Sequence, residues 1–122
     1  MATEITDATR SFERWLGDRQ RLRRDDLEFK HQQMAADAFS FLRATFYRWA
    51  ELWSEELPEL GDAPRVLAVG DLHVENYGTW RDAEGRLIWG VNDFDESTNL
   101  PYTLDLVRLA TSAGLAAAEG HL

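Results

Sequence analysis

The segment PYTLDLVRLATSAGLAAA, which runs from Pro101 to Ala118, carries apolar or small side chains on nearly every side of a helix that we expect to begin near Tyr102. A helix that is apolar all round is typically buried at the centre of a protein, because each of its faces needs a neighbour. Only two other sizeable helices are predicted in the chain. We therefore expect an incomplete domain, covered either by sequence beyond Leu122 or by a partner such as a second copy of the chain.

The two other predicted helices lie before residue 60. Apolar residues recur at helical spacing up to Gly17, a natural helix end, and an Arg- and Asp-rich connector follows to about Asp26. The strongest helical pattern begins after Asp37, whose carboxylate can accept hydrogen bonds from first-turn amides, and it ends at Pro58. Its aromatic and apolar stripe is typical of a helix that faces a core, and consists of Phe39, Leu42, Phe46, Trp49, Trp53 and Leu57.

Three short apolar runs predict strands. RVLAV (Arg65 to Val69) is typical of a buried strand, and the runs from Tyr77 to Trp80 and from Leu87 to Val91 predict a hairpin around the turn RDAEGR. We therefore expect an α+β fold in which helices flank a small antiparallel β-hairpin. The predicted organisation is one domain, with an N-terminal helix and connector at residues 1–30 and a core at residues 31–122.

The composition limits the classes of function. The net charge of −9, from 22 acidic and 13 basic residues, opposes binding to nucleic acid. There are no cysteines, so neither disulfides nor thiolate metal sites can form. No run approaches the roughly 18 apolar residues of a membrane span, and the start MATEITDATR has no signal-peptide pattern. We expect a cytoplasmic protein that binds neither nucleic acid nor membrane.

Two polar segments each follow an apolar strand. The segment GDLHVENYG presents Asp71 and Asn76 directly after RVLAV, and NDFDES presents Asp93 and Asp95 directly after LIWGV. Strand alternation and a tight hairpin are expected to bring these segments together. Carboxylates that close repel by several kcal/mol at an effective dielectric of about 20, and oxygen ligands suit Mg²⁺ or Mn²⁺. In such a site Asn76 and Asp93 can hold the metal while Asp71 receives a proton from an attacking hydroxyl.

A second interpretation of these residues is purely structural. Aspartate and asparagine are common in turns, where their side chains cap backbone amides. For Asp71 or Asp93 alone, turn geometry is the better explanation. The occurrence of both segments, each directly after a strand, favours the functional interpretation.

The motif D-L-H-V-E-N, in which Asn76 follows Asp71 by five places, resembles the catalytic loop of the protein-kinase-like superfamily. It is most similar to the pattern H-G-D-L-H-x-x-N of aminoglycoside and choline kinases. N-D-F-D resembles their metal-binding I-D-[WF]-[DE], and P-Y-T-L-D-L resembles the start of their central helix. The resemblance implies part of a kinase-like C-lobe that uses Mg²⁺ (or Mn²⁺) and ATP on a small-molecule substrate. The sequence departs from the pattern at Val69, where many such loops have histidine, and it shows no glycine-rich nucleotide loop, so the nucleotide-binding residues are unknown.

Four blocks resemble more closely the uncharacterised bacterial domain-of-unknown-function 2252 family. In chain order they are MAADAFSFLRATFYRW, VGDLHVENYG, LIWGVNDFDES and LDLVRLATS, and they cover about His31 to Ser112. This resemblance does not supply an activity. The kinase-like function therefore depends on the motif analogy.

Carried over residue by residue, the kinase-like resemblance makes Asp71 the catalytic base. Asn76 and Asp93 become metal ligands, and Asp95 becomes a second-metal or outer ligand. Asp105 becomes the residue that braces the catalytic loop through its backbone.

The remaining polar residues of these blocks have weaker assignments. His73 falls on the motif histidine and either orients the loop or packs in the core. Arg43, in FLR, can approach a phosphate, although an arginine whose stem covers apolar surface is the commoner case. Glu75 matches no required position, and no kinase role transfers to Glu96.

The leading hypothesis is the catalytic-loop portion of a Mg²⁺-dependent, kinase-like phosphotransferase that is inactive as this isolated piece. The alternatives are a metal-dependent phosphohydrolase, with water as the nucleophile, and a non-catalytic interaction domain whose apolar helices pack on a partner. We expect Asp71→Ala to abolish turnover of the complete enzyme while leaving its folding nearly intact.

Overall fold

The computed structural model describes residues 4–120. Contacts between residues divide the chain into an N-terminal unit, residues 1–58, and a C-terminal unit, residues 59–122. The helices of the described residues are α1 (Ile5–Gly17), α2 (Arg24–Met34), α3 (Ala38–Ala44), α4 (Phe46–Glu56), α5 (Pro58–Gly61) and α6 (Tyr102–Ala118). The strands are β1 (Arg65–Ala68), β2 (Tyr77–Arg81), β3 (Leu87–Val91) and β4 (Thr98–Pro101), with a one-turn 3₁₀ helix at Val74–Asn76. Helices precede and follow short antiparallel strands along the chain, which confirms the predicted α+β class.

In the N-terminal unit, α1 spans the predicted segment and packs against α4. The ring of Phe12 stacks on that of Tyr47 with their centroids 4.3 Å apart. The hydroxyls of Thr9 and Tyr47 share a hydrogen bond of 2.7 Å. Burial raises the pKa of Tyr47, against the opposing effect of the Thr9 hydrogen bond. The phenol therefore stays neutral and contributes packing as well as this polar contact.

The helix α2 begins inside the segment that the sequence predicts as a connector. Its sequence RDDLEFKHQQM is polar and none of its residues is buried, so it lacks the apolar periodicity that marks a helix. An ion pair of 2.8 Å joins Arg24 to Glu28 one turn later and supports the helix locally. The predicted division between residues 30 and 31 falls within α2, so it does not separate two elements.

The long aromatic helix predicted between Asp37 and Pro58 is divided at Thr45. Asp37 caps α3 as predicted, because its carboxylate accepts a hydrogen bond of 2.6 Å from the Ser40 amide. Thr45 leaves the helical conformation, with φ −123° and ψ 35°. Its hydroxyl donates to the carbonyl of Phe41 at 2.7 Å, a contact that competes with helical bonding. Pro58 begins the short helix α5, since proline suits the first helical position.

The C-terminal unit contains two antiparallel sheets of two strands each. The hairpin β2–β3 forms within one residue of its predicted bounds, and its turn contains Gly85 at φ +79°. β1 pairs with β4, with Arg65 opposite Pro101. The sequence did not predict β4, because TNLP lacks apolar alternation and ends in proline. β1 is not the buried strand that we expected, since only Ala68 in it is buried and Leu67 is 81% exposed.

The helix α6 begins at Tyr102 as predicted, but only one stripe of it is buried. The buried residues recur at every fourth position and are Leu104, Arg108, Ser112 and Ala116. Leu106 is 57% exposed, so the expectation of a helix buried on all sides is wrong for the part of the chain that the structure describes. Across residues 4–120, no helix combines the length and the apolar content that a membrane crossing requires.

Candidate active site at two acidic loops

Two acidic loops lie together in the C-terminal unit, and Asn76 joins them. The first acidic loop (residues 69–76) follows β1, and the second acidic loop (residues 92–97) follows β3. The Nδ2 group of Asn76 donates to the carbonyl oxygens of Asp71 at 3.1 Å and of Asp93 at 3.2 Å. Its Oδ1 accepts from the amide of Asp93 at 3.0 Å. Asn76 is only 4% exposed, so this clamp between the loops is shielded from competing water.

Gly70 permits the close approach of the two loops. Its φ of +86° lies in the left-handed region that favours glycine. A Cβ atom at this position would lie 2.4 Å from the carbonyl oxygen of Glu96. The hydroxyl of Ser97 also donates to the carbonyl of Val69 at 3.5 Å. The loop spacing is therefore fixed by backbone contacts that leave no room for a side chain.

Polar residues of α6 hold the first acidic loop from its other side. The carboxylate of Asp105 accepts hydrogen bonds from the amides of Val69 at 2.7 Å and Gly70 at 2.9 Å. Asp105 thus contacts the loop backbone, and its role as the brace of a catalytic loop stays a prediction. Two turns later, the hydroxyl of Ser112 accepts from the amide of Val74 at 3.1 Å. Both ends of the loop are thus attached to one helix.

Between these two contacts, Arg108 of α6 binds the carboxylate of Asp71. Its Nε and Nη2 groups both donate to Oδ1, at 2.7 and 2.5 Å. The side chain of Arg108 is 0% exposed and that of Asp71 is 23% exposed. Burial lowers the pKa of Arg108, and the charge and hydrogen bonds of Asp71 act in the opposite direction. The negative charge of Glu96 acts in the same direction as Asp71. Because an arginine stays protonated in proteins, Asp71 is the hydrogen-bonded counter-ion of a buried charge.

This ion pair changes the expectation that Asp71→Ala leaves folding nearly intact. Removing one partner of a buried pair leaves an uncompensated charge, which typically costs about 3–5 kcal/mol. The alanine variant would therefore lose stability as well as any activity. Asp71→Asn keeps an oxygen acceptor for Arg108 and is the better probe of chemistry.

The second acidic loop presents its carboxylates to solvent. Asp93 and Asp95 are exposed, and the amide of Asp95 donates to Oδ1 of Asp93 at 3.1 Å, which is the local turn geometry that the structural interpretation predicts. The pKa of Glu96 is raised, first by partial burial of its carboxyl and then by the negative charges of Asp71, Asp95 and Asp93. Arg108 acts in the opposite direction. The carboxylates of the two loops therefore interact electrostatically, although the two loops are far apart in sequence.

The family described as "Uncharacterized protein conserved in bacteria (DUF2252)" matches residues 22–122, a span that contains both acidic loops and α6. The chain belongs to this family. The match confirms the family predicted from the four sequence blocks, and it extends beyond the predicted range at both ends. No curated protein and no solved structure matches this DUF2252 chain. The kinase-like resemblance gains no support from these comparisons and stays a prediction.

The predicted metal ligands of the DUF2252 chain form a sparse donor set. Across residues 4–120, no three or more His, Asp or Glu side chains are arranged so that they could hold a metal ion. The donors available at the acidic loops are the carboxylates of Asp93 and Asp95 and the carbonyl of Asn76, whose Oδ1 already accepts one hydrogen bond and keeps one lone pair. Mg²⁺ in proteins often binds through one or two carboxylates and retains several waters, so Mg²⁺ at these residues stays a prediction. The donor set does not fit a metal that requires a closed protein cage.

The other predicted site residues have separate positions. His73 is buried with its Nε2 4.0 Å from Oδ2 of Asp71. Arg43 is exposed on α3 in the N-terminal unit, and its contact with a phosphate stays a prediction. Arg108 and Ser112 had no role predicted from the sequence. Their spacing from Asp105 along an otherwise apolar helix is the signal that could have found them, because residues three and four apart share a helix face.

Proposed function

We propose that this DUF2252 chain carries the catalytic-loop portion of a Mg²⁺-dependent phosphotransferase, which transfers a phosphoryl group from ATP to a hydroxyl of a small molecule. The observation that supports it is the clamp formed by Asn76, which binds the backbone of both Asp71 and Asp93. Two acidic loops held in this way can divide the work of phosphoryl transfer, which is mostly positioning and neutralisation of charge. The reaction class itself comes from the kinase-like resemblance.

Asp71 is the proposed general base. Its Oδ1 is bound by Arg108, while its Oδ2 makes no hydrogen bond within the described residues. Oδ2 is then the atom that accepts the proton of the attacking hydroxyl. Proton transfer by a positioned base typically contributes about 10²- to 10⁴-fold to the rate.

Asp93 is the proposed principal metal ligand and Asp95 a second one. Mg²⁺ at these exposed carboxylates would neutralise charge on the phosphates during transfer. Without a cation the loops would repel the negatively charged ATP, because the charges of Asp71, Asp93 and Asp95 all act on Glu96 and so lie close together. The acidic surroundings therefore make a metal necessary for the proposed reaction.

The nucleotide is proposed to be held by sequence outside these 122 residues or by a partner, since the chain offers no glycine-rich phosphate loop. The isolated chain is then expected to bind Mg²⁺ without turning over. A requirement for ATP and Mg²⁺ is consistent with a cytoplasmic protein. The acceptor is a small molecule that carries a hydroxyl.

Metal binding tests the proposal on the chain itself. Mn²⁺ is titrated as a spectroscopic substitute for Mg²⁺, and free Mn²⁺ is followed by electron paramagnetic resonance in competition with Mg²⁺. Asp93→Asn should abolish binding. Asp62→Asn, which removes one carboxylate from an exposed position before β1, is the matched control and should bind like the original chain. Equal binding by both variants, or none by the original chain, would contradict the proposed metal site.

Turnover is tested on a DUF2252 protein that contains this sequence together with a nucleotide-binding part. Phosphorylated product should form from ATP and a pool of small hydroxyl compounds, and Asp71→Asn should reduce the rate by about 10²- to 10⁴-fold. Release of phosphate from a phosphate ester without ATP would instead support a phosphohydrolase. Unchanged turnover in a folded Asp71→Asn protein would overturn the assignment of the base.

A further inference from the structure

We infer that Arg108 is a positioning residue, which holds Asp71 in one rotamer through Oδ1 so that Oδ2 is presented to a substrate hydroxyl. Its importance for catalysis rests on the proposed function. Its effect on the Asp71 side chain does not, and can be measured without ATP, metal or substrate.

The geometry of the contact carries the inference. Both donating groups of Arg108 converge on the same oxygen of Asp71, at 2.7 Å from Nε and 2.5 Å from Nη2. A guanidinium that paired with both oxygens of a carboxylate would place a donor on each of them. Here both donors lie on Oδ1, whereas Oδ2 accepts no hydrogen bond within the described residues and has Nε2 of His73 4.0 Å away. The arrangement distinguishes two oxygens that are chemically identical in a free aspartate.

The helix that carries Arg108 is itself fixed to the loop on both sides of Asp71. Asp105 accepts from the amides of Val69 and Gly70, and Ser112 accepts from the amide of Val74. Arg108 lies between these two anchors in sequence, three residues after Asp105 and four before Ser112, so all three share one face of α6. A functional side chain is placed accurately when its supporting contacts come from a rigid element, and α6 has this relation to Asp71.

Charge makes the contact persistent. Arg108 is completely buried, and burial of its guanidinium lowers its pKa. Rotation of the Asp71 carboxylate away from Arg108 would break two hydrogen bonds to a buried guanidinium, which is costly in a protein interior. The alternative rotamers of Asp71 are therefore disfavoured. Arg108 thus restricts the rotamers of Asp71, because the buried guanidinium is stabilised by the Asp71 carboxylate.

The test measures the rotamer of Asp71 directly. Three-bond couplings between Hα and the two Hβ protons of Asp71 are recorded by nuclear magnetic resonance on the metal-free chain. We expect the couplings of a single rotamer in the original chain, which are either one large and one small or two small values. Arg108→Met removes the charge and both donors, and should give two intermediate couplings. Arg81→Met, an exposed arginine of the same unit, is the control and should leave them unchanged.

The conservative variant keeps the test decisive if Arg108→Met does not fold, as judged by loss of amide signal dispersion. Arg108→Lys keeps the charge but offers one ammonium group in place of a planar fork, so we expect partial averaging of the couplings. Couplings in a folded Arg108 variant that equal those of the original chain would overturn the inference.

If Mn²⁺ binding fails while the couplings change as expected, the proposed function is wrong and the positioning of Asp71 stands. In a turnover-competent protein, Arg108→Lys should lower kcat by about 10²-fold with little change in KM.

Discussion

Asn76 is bound to the backbone of Asp93 through both ends of its side-chain amide. Nδ2 donates to the Asp93 carbonyl at 3.2 Å, and Oδ1 accepts from the Asp93 amide at 3.0 Å. The side chain thus pairs with the second acidic loop as a neighbouring strand would, with one donor and one acceptor. The relation between the two acidic loops therefore depends on an amide, and a carboxylate of the same shape cannot replace it.

Asn76→Asp should destabilise the C-terminal unit. The substitution replaces a donor by an oxygen that faces the carbonyls of Asp71 and Asp93, so both acceptors lose their partner. The expected loss is about 1–3 kcal/mol, measured by urea unfolding. Asn99→Asp is the control, because Asn99 is exposed and uses its Oδ1 to accept from Arg65, a contact that aspartate preserves. Equal stability of the two variants would show that the clamp contributes nothing.

The Asp71–Arg108 pair should show strong coupling in a double-mutant cycle. We expect Asp71→Ala to lower the free energy of unfolding by about 3–5 kcal/mol, because the buried guanidinium of Arg108 loses the Asp71 carboxylate. The double variant Asp71→Ala with Arg108→Met should lose less free energy of unfolding than the two single variants lose together. The difference, which is the coupling energy, should lie between about 0.5 and 3 kcal/mol.

The matched pair for this cycle is Arg24 and Glu28, which are 2.8 Å apart with side chains 89% and 55% exposed. Exposed pairs of this spacing couple by about 0.3–0.5 kcal/mol. If the Asp71–Arg108 coupling is no larger than that of this surface pair, the buried ion pair does not hold the first acidic loop.

Gly70→Ala should be more destabilising than Gly85→Ala. Both glycines have positive φ, +86° and +79°, so both alanines carry the backbone cost of roughly 1–2 kcal/mol. Only at Gly70 would the new Cβ meet a backbone atom, the Glu96 carbonyl oxygen, whereas nothing lies within 4 Å at Gly85. The additional steric cost is about 1–3 kcal/mol, read from thermal unfolding. Equal unfolding temperatures would show that the loops can separate without cost.

The elements that could be predicted are those that local sequence determines. α1 and the start of α6 follow apolar spacing and helix signals, and the hairpin β2–β3 follows strand alternation around a glycine turn. The elements that were missed depend on other interactions. α2 has no apolar stripe, and β4 exists only because β1 pairs with it.

The same distinction applies to the candidate site. Asp71, Asn76 and Asp93 could be selected because motif spacing is visible in the sequence. The role of Arg108 depends on which stripe of α6 faces the first acidic loop. Because α6 carries apolar or small side chains on nearly every side, its sequence does not show which stripe is buried. The direction of the Asn76 carbonyl toward the Asp93 amide was equally invisible, because it is a contact between side chain and backbone across two loops.

The turn of the hairpin β2–β3 should lose stability in acid through Asp82. Its Oδ1 accepts from the amides of Glu84 and Arg86, and its Oδ2 accepts from Nε of Arg86 at 2.7 Å. Desolvation acts to raise the pKa of Asp82, but the hydrogen bonds from these two residues outweigh it and leave the pKa below its ordinary value.

Because the pKa of Asp82 is lower in the folded hairpin than in the unfolded chain, its stabilising effect is complete above the ordinary aspartate pKa of about 3.9. The effect fades as the pH falls through the lower folded value. The stacking of Trp89 on Tyr77, with ring centroids 4.9 Å apart, reports the hairpin, so the Trp89 indole resonance is followed during acid titration. Asp82→Asn should weaken the hairpin at neutral pH and remove this dependence, whereas Asp62→Asn should leave it. A titration of the Trp89 signal that is the same in Asp82→Asn and the original chain would show that another carboxylate controls the turn.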